Sequence, residues 1–172
     1  DTLIYMIDGI IADHPDKFAR GDSPEMIENN FEKGLISLPM GMENGAPLIT
    51  LDDIRYYYSK GIRYVTLTHG KDNHICDSSY DTTATWGGLS PYGLKAIAEM
   101  NNIGMIIDVS HISDKTFYQV MEHSRAPVLA THSSCRYFTP GWERNMSDEM
   151  IIELGKHGGV IQINFGSDFL DA

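Results

Sequence analysis

The sequence predicts an α/β fold in which a parallel β-sheet is covered by helices. Short apolar segments alternate with amphipathic segments of about three helical turns along the 172 residues. The apolar segments are nearly continuous, as is typical of strands that are buried on both faces of a parallel sheet. No low-complexity linker interrupts the alternation, so a single domain is expected.

The first three helices are predicted from apolar spacing and from capping residues. An apolar stripe with i, i+3, i+4 spacing predicts a helix over residues 2–13. The second helix begins after Ser23 and the third after Thr50, because both residues are favoured N-caps. Gly34 and Gly61 stand where these two helices are expected to end.

Strands and further helices then follow in regular order. The predicted strands are "LISLPMG", "IRYVTLT", "MIIDVS", "PVLAT" and "GVIQINF". The remaining predicted helices are "SPYGLKAIAEMNNIG", "SDKTFYQVMEHS" and "SDEMIIELGKHG". Each of these helices begins with a serine cap and separates two of the strands, which is the pattern of a parallel sheet with helical crossovers.

Composition and charge exclude several classes of protein. Apolar residues make up 42% of the chain and charged residues 22%, which is ordinary for a globular domain. The net charge of −11 argues against nucleic acid as a partner. We find no apolar run of the roughly 20 residues that a transmembrane helix needs. The start "DTLIYMIDGI" lacks the basic region of a signal peptide and an initiator Met, so an upstream segment is expected. Cys76 and Cys135 do not decide the cellular compartment.

Four predicted strands are each followed by a residue of a type that can bind metals. Glu43 follows the first strand, His69 the second, His111 the third and His132 the fourth. Because the carboxyl ends of parallel strands share one edge of the sheet, these side chains are expected to lie together. Imidazole and carboxylate suit zinc and similar divalent ions. Each residue alone has an ordinary structural explanation, but together they predict a metal site.

Long motifs in the chain resemble the membrane (renal-type) dipeptidase family. They are "RYVTLTHGKDN", "GLSPYGLKAIAEMNNIGMIIDVSHIS", "APVLATHSS" and "RNMSDEMI…GGVIQINF", within a resemblance that runs from about residue 25 to the end. The resemblance implies a (β/α)8 TIM-type barrel of the metal-dependent hydrolase kind with two zinc ions. It also implies dipeptide substrates, with tolerance for a D residue on the carboxyl side.

The resemblance assigns roles to the residues that match the family's motifs. It implies that Glu43 bridges the two zinc ions, although Asn44 stands where the family often has Gly. His111 and His132 match the ligands of the second zinc. His69 matches a catalytic histidine that contacts the substrate and stabilises the tetrahedral intermediate.

Two further residues are expected at the substrate pocket. Arg144 matches an arginine that binds the substrate carboxylate, a task suited to its planar guanidinium. The alternative is that Arg144 only pairs with Glu143 or Asp148 on the surface. Asn73, in the loop after His69, is expected to help line the pocket.

Two similar-looking motifs are interpreted as coincidences. His14 and Asp16 have the H-x-D spacing of the family's first zinc ligands, but they follow a helix and lie close to Glu43 in sequence. Asp168 resembles the family's late aspartate, but it directly follows the last predicted strand.

The chain is therefore expected to be the central portion of a barrel. Residues 1–172 would hold about five of eight strands, with the N-terminal and C-terminal parts missing. Such a portion leaves two sheet edges open, and alone it is expected to be inactive. Its expected partners are a dipeptide substrate, the remaining barrel segments and a second copy of the chain.

The implied reaction is the zinc-dependent hydrolysis of dipeptides by a metal-activated hydroxide. One alternative is another two-metal amidohydrolase, acting on a lactone, a cyclic amide or an N-acyl amino acid. Another is a non-catalytic barrel fragment or binding protein.

Overall fold

The computed structural model describes residues 1–171, which form an α/β structure. The strands are β1 (Phe18–Arg20), β2 (Ile36–Leu38), β3 (Met40–Glu43), β4 (Ile62–Thr66), β5 (Ile106–Asp108), β6 (Leu129–Ser133) and β7 (Val160–Ile163). The helices are α1 (Thr2–Asp13), α2 (Pro24–Glu32), α3 (Leu51–Ser59), α4 (Pro91–Ile103), α5 (Asp114–His123), α6 (Asp148–Lys156) and α7 (Ser167–Leu170). A short 3₁₀ helix covers Arg136–Phe138.

Five strands form one parallel sheet in the order β3-β4-β5-β6-β7. Every strand pairs with its neighbour in sequence, and helices α3 to α6 connect them in turn. The prediction of a parallel sheet of five strands with helical connections is therefore confirmed.

The segment "LISLPMG" is not one strand, as was predicted, but two. Pro39 separates β2 from β3. Proline has no N–H to donate to a neighbouring strand, so it interrupts the pairing. The prediction also missed β1, which pairs in parallel with β2 in a separate two-stranded sheet, and the short α7. These elements are too short to show a periodic pattern.

The predicted helix caps are present in the structure. Ser23 Oγ accepts a hydrogen bond from the Met26 N–H at 3.2 Å, and Thr50 forms a reciprocal capping box with Asp53. Gly104 ends α4 with a φ of 81°, a left-handed conformation that glycine adopts without steric cost. These signals explain why the helix starts were predicted well.

The two faces of the sheet differ in chemistry. On the outer face, Val65, Ile107 and Ala130 are buried in the hydrophobic core. On the inner face, Tyr64 and Leu129 line a groove of about 520 Å³ together with residues that precede and follow β2. The helices therefore cover one face, while the other borders open space.

No helix in residues 1–171 has the length and apolar character required to cross a bilayer.

A glycine in α4 provides a test of how this helix is positioned. A Cβ added at Gly93 would lie 2.2 Å from the carbonyl oxygen of Ile75, a main-chain atom of the loop that carries His69. We expect Gly93→Ala to lower the free energy of unfolding by about 1–3 kcal/mol, as overpacking does. Gly155 in α6 has nothing within 4 Å of its added Cβ. Gly155→Ala should therefore raise stability by about 0.5–1 kcal/mol.

Urea unfolding monitored by circular dichroism measures both variants. A Gly93→Ala protein as stable as the Gly155→Ala protein would show that α4 does not pack closely against this loop.

Candidate metal centre

One carboxylate oxygen lies close to the side chains of three histidines. Oε1 of Glu43 is 3.0 Å from Nε2 of His132 and 3.2 Å from Nε2 of His111. The same oxygen is 3.5 Å from Nε2 of His69. The ring centroids of His69 and His111 are 4.2 Å apart, and those of His111 and His132 are 4.9 Å apart. The four residues that were predicted from strand ends thus lie together.

The parallel sheet explains this arrangement. Glu43 is the last residue of β3. His132 is the penultimate residue of β6 and therefore lies within this strand, not after it. His69 and His111 lie in the loops just after β4 and β5. Since all these strands run in one direction, their carboxyl ends place the four side chains at one edge of the sheet.

The backbone is left-handed at two positions of the site. Asn44 has a φ of 77°, and its Oδ1 accepts a hydrogen bond from the Ala46 N–H at 3.1 Å. Asparagine tolerates this conformation better than most non-glycine residues, because its short side chain can form local hydrogen bonds. His111 has a φ of 69°, which is uncommon for a non-glycine residue. Such strain is concentrated at functional sites, so it marks His111 as a residue held in place.

The chemistry of these donor atoms fits a divalent cation. One donor atom each from Glu43, His111 and His132 lies within 4.8 Å of the others. The Nε2 of His132 is buried and has no hydrogen-bond partner within residues 1–171, although Glu43 Oε1 is near. A buried acceptor beside a second acceptor is unfavourable unless a cation or a proton lies between them. Carboxylate and imidazole are ligands that zinc accepts.

Burial favours the neutral form of the His111 and His132 imidazoles. It lowers the pKa of His111 from 6.5 to about 3, with a further contribution from the nearby positive charge of Arg144. Burial and Arg144 also lower the pKa of His132, against the opposing effect of Asp108 and Glu43. A neutral imidazole retains the lone pair that a metal requires.

A buried carboxylate lies beneath the site on the inner face of the sheet. Asp108, the last residue of β5, is fully buried and accepts hydrogen bonds from the hydroxyls of Thr66 and Thr131. The Thr131 hydroxyl is also 2.7 Å from Nδ1 of His132. Sequence analysis missed both Asp108 and Thr131. The available signal was a charged residue inside the apolar segment "MIIDVS", since a buried carboxylate requires several hydrogen-bond donors.

Arg144 is buried against the main chain of β6. Its Nη1 donates to Ser133 Oγ at 2.8 Å and its Nη2 donates to the His132 carbonyl at 2.5 Å. Only 2% of the residue is exposed, so the alternative of a surface pair with Glu143 or Asp148 is wrong. The guanidinium lies 5.0 Å from the ring centroid of Phe169.

Asn73 shapes the loop that follows His69. Its Oδ1 accepts hydrogen bonds from the N–H groups of Ile75 and Cys76, and its Nδ2 donates to the Leu67 carbonyl. Because main-chain groups occupy this amide, the geometry favours a role in holding the loop. Contact between Asn73 and a substrate remains a prediction.

The residues interpreted as coincidences lie outside the metal-binding group. His14 and Asp16 are exposed near the end of α1. Asp168 is exposed in α7, where its nearest side-chain partner is Ser167 at 3.3 Å.

Comparison with known proteins identifies related dipeptidases. The profile of the membrane dipeptidase family, peptidase family M19, matches residues 2–172. An uncharacterized dipeptidase of Schizosaccharomyces pombe is 40% identical over 152 residues, which cover 87% of this chain and 36% of the relative. A second dipeptidase from the same yeast is 35% identical, over 91% of this chain and 38% of the relative. The chain thus spans less than two fifths of the length of these two relatives.

Solved structures agree with these sequence matches. The probable dipeptidase PvdM of Pseudomonas aeruginosa aligns with a TM-score of 0.88 and 33% identity, over 93% of this chain and 42% of that one. A metallo peptidase of Rhodobacter sphaeroides, liganded with a phosphinate mimic of the dipeptide L-Ala-D-Ala, aligns with a TM-score of 0.80. Its identity is 25%, over 90% of this chain and 45% of that one. The likeness confirms the expected partial barrel.

The low pKa of His111 predicts a pH-dependent stability in the metal-free protein. An unfolded histidine binds a proton below its ordinary pKa of 6.5, whereas folded His111 does so only near pH 3. The unfolded state therefore binds more protons in this window, so stability should fall as the pH is lowered from 6.5 to 5, before most carboxylates titrate. One such group contributes a slope of up to about 1.4 kcal/mol per pH unit.

Urea unfolding in the presence of a chelator, at several pH values, measures this slope. His111→Asn should reduce the slope, since asparagine tolerates the left-handed backbone and does not titrate. The exposed His123, at the end of α5, provides the control His123→Gln, which should keep the wild-type slope. An unchanged slope in His111→Asn would contradict the prediction.

Proposed function

Because this chain belongs to the membrane dipeptidase family, peptidase family M19, we propose that it forms the metal-binding part of an enzyme that hydrolyses dipeptides. The observation that carries the proposal is the position of Glu43 Oε1, within 3.0 to 3.5 Å of three imidazole nitrogens. This arrangement is typical of a metal site.

The proposed cofactor is a pair of zinc ions. Glu43, His111 and His132 are the residues of this chain that would hold the metal. When bound, such ions activate water and polarise the peptide carbonyl. The neutral state of both histidines supports this role, because a protonated imidazole cannot bind a metal.

His69 is the proposed catalytic residue beside the ligands. Its side chain is 51% exposed, far more than that of His111, and it lies on the open side of the cluster. An exposed imidazole at the mouth of the site can donate a hydrogen bond to the oxyanion that develops on the substrate. Its distance of 3.5 Å from Glu43 suits a residue that contacts the substrate rather than a permanent ligand.

Arg144 is the proposed anchor for the substrate carboxylate. Two of its nitrogens are fixed by β6, which orients the guanidinium. Its Nε is buried and has no hydrogen-bond partner in the described part of the chain. A charged donor left without a partner favours an anionic ligand. Phe169 lies over the guanidinium, with its ring centroid 5.0 Å from the guanidinium carbon of Arg144.

The substrate proposed is a dipeptide, including one with a D residue on the carboxyl side. Support comes from the metallo peptidase that aligns with this chain while liganded with a mimic of L-Ala-D-Ala. An anchor for a free carboxylate next to the metal site would limit substrates to short peptides.

We further propose that residues 1–172 are the central portion of one barrel domain. Strands β3 and β7 form the two edges of the sheet. The inner groove of about 520 Å³ is lined by residues of β4 to β7, and side chains of the remaining strands would close it in the complete barrel. Those strands would also supply the ligands of the other zinc ion.

The function is tested with full-length protein that includes the remaining barrel. Zinc-loaded enzyme should hydrolyse L,L and L,D dipeptides, and a chelator should abolish the activity until zinc is restored. Lactones and N-acyl amino acids should be poor substrates. Preferential hydrolysis of N-acyl amino acids would favour another two-metal amidohydrolase. A protein that binds zinc and hydrolyses none of these compounds would contradict the proposal.

A substitution of Arg144 tests the carboxylate anchor. Arg144→Ala should lower kcat/KM for a dipeptide by about one to two orders of magnitude, since a charged hydrogen bond contributes about 1.5–3 kcal/mol. The corresponding dipeptide amide lacks the carboxylate, so it should lose little. Arg125→Ala is the control. Arg125 is exposed, its guanidinium donates to Asn102, and it precedes the amino end of β6, whereas the metal-binding side chains lie at the carboxyl ends of the strands.

Kinetics with the acid and amide forms of one dipeptide decide the question. Equal losses for both forms would remove the anchoring role of Arg144.

A further inference from the structure

We infer that Asp108, acting through the hydroxyl of Thr131, fixes the tautomer and ring orientation of His132 for metal binding. Asp108 and Thr131 are thus positioning residues, which contact neither the metal nor the substrate. Their role rests on the proposed function of His132 as a metal ligand.

The first step concerns the hydrogen bonds of Asp108. Its Oδ1 accepts hydrogen bonds from the N–H groups of Ser110 and Thr131, both at 3.0 Å. Its Oδ2 accepts from the hydroxyls of Thr66 at 2.5 Å and Thr131 at 2.6 Å. Both oxygens of Asp108 thus act as hydrogen-bond acceptors in the structure.

The second step follows the single proton of the Thr131 hydroxyl. The Thr131 hydroxyl donates this proton to Asp108 Oδ2 at 2.6 Å. The Thr131 oxygen then has only lone pairs to offer to His132 Nδ1, which is 2.7 Å away. Nδ1 must therefore carry the ring proton. In the neutral imidazole this leaves the lone pair on Nε2.

The third step concerns where that lone pair lies. Nε2 of His132 is 3.0 Å from Glu43 Oε1, and it has no hydrogen-bond partner among the residues described. The chain Asp108–Thr131–His132 thus directs an imidazole lone pair toward the carboxylate. A hydrogen bond to the distal ring nitrogen is the usual way in which proteins orient a histidine ligand and raise its basicity.

The main chain of His132 is held separately. Its N–H donates to Ser110 Oγ at 3.1 Å, and its carbonyl accepts from Arg144. These bonds fix the backbone but leave the ring free to rotate about its side-chain torsions. Nδ1 lies 2.7 Å from the Thr131 hydroxyl and 4.0 Å from Asp108 Oδ2, so Thr131 is the group that can hold the ring in place.

The structure contains a matched control for this role. Thr66 and Thr131 each donate a hydroxyl to the same oxygen, Asp108 Oδ2, from the strands on either side of β5. Only Thr131 also contacts His132. If these hydrogen bonds only joined the strands, loss of either hydroxyl should have a similar effect on zinc binding. If they position His132, only loss of the Thr131 hydroxyl should weaken zinc binding.

The experiment compares Thr131→Val with Thr66→Val, which remove the hydroxyl and nearly preserve the side-chain shape. Affinity for zinc alone is measured by competition with a chromophoric chelator. Thr131→Val should weaken zinc binding by about 10–100-fold, which is usual for the loss of such a partner. Thr66→Val should keep an affinity close to that of the wild type, and Thr131→Ser should restore binding. Urea unfolding confirms that both valine variants are folded.

Nitrogen NMR of the metal-free protein provides a second readout. His132 should be protonated at Nδ1 in the wild type and in Thr66→Val, and should become a mixture of tautomers in Thr131→Val. Equal loss of zinc affinity in the two valine variants, or protonation of His132 at Nε2 in the wild type, would overturn the positioning role. A wild-type protein that binds no zinc but keeps the Nδ1 tautomer would instead contradict the proposed function.

Discussion

The buried carboxylate of Asp108 is the constraint on which the central sheet depends. Moving a carboxylate out of water costs several kcal/mol unless its lone pairs are satisfied by hydrogen bonds. Here the donors come from β4, from β6 and from the turn after β5. Because Thr66 and Thr131 must both reach one oxygen, the three strands are held in one register. That register also fixes the position of Glu43 along β3, because Glu43 pairs with Thr66 on the neighbouring strand β4.

The two faces of the sheet have different roles: one contributes to stability and the other supports the candidate metal site. The outer face is apolar and packs against helices, which accounts for most of the buried hydrophobic residues. The inner face carries Thr66, Asp108 and Thr131 as a polar layer directly beneath the metal-binding side chains. Within this layer, Thr131 alone contacts a metal-binding side chain, and its hydrogen bond to His132 limits the movement of that ring.

Much of the fold was predictable from local signals in the sequence. Serine and threonine caps, left-handed glycines and apolar strands each act over a few residues, so they identified the helices and the five main strands. The cluster of Glu43 and three histidines was predictable because strand direction alone places strand ends together. Pro39 marks the break between β2 and β3, because proline has no N–H for strand pairing, but the surrounding apolar residues conceal this break in the hydrophobic pattern.

Other features depend on contacts that no local pattern encodes. The hydrogen bonds of Asp108 join residues 23 and 42 positions away, so they exist only once the register is known. The left-handed backbone of His111 and the burial of Arg144 likewise follow from tertiary packing.

The strand order β3-β4-β5-β6-β7 has a consequence for synthesis on the ribosome. Each strand can dock on an edge formed moments earlier, but Asp108 lacks two of its donors until β6 has emerged. Until Thr131 leaves the exit tunnel, water must take the place of these two donors, so the hydrogen bonds around Asp108 and the position of His132 are completed only when β6 docks.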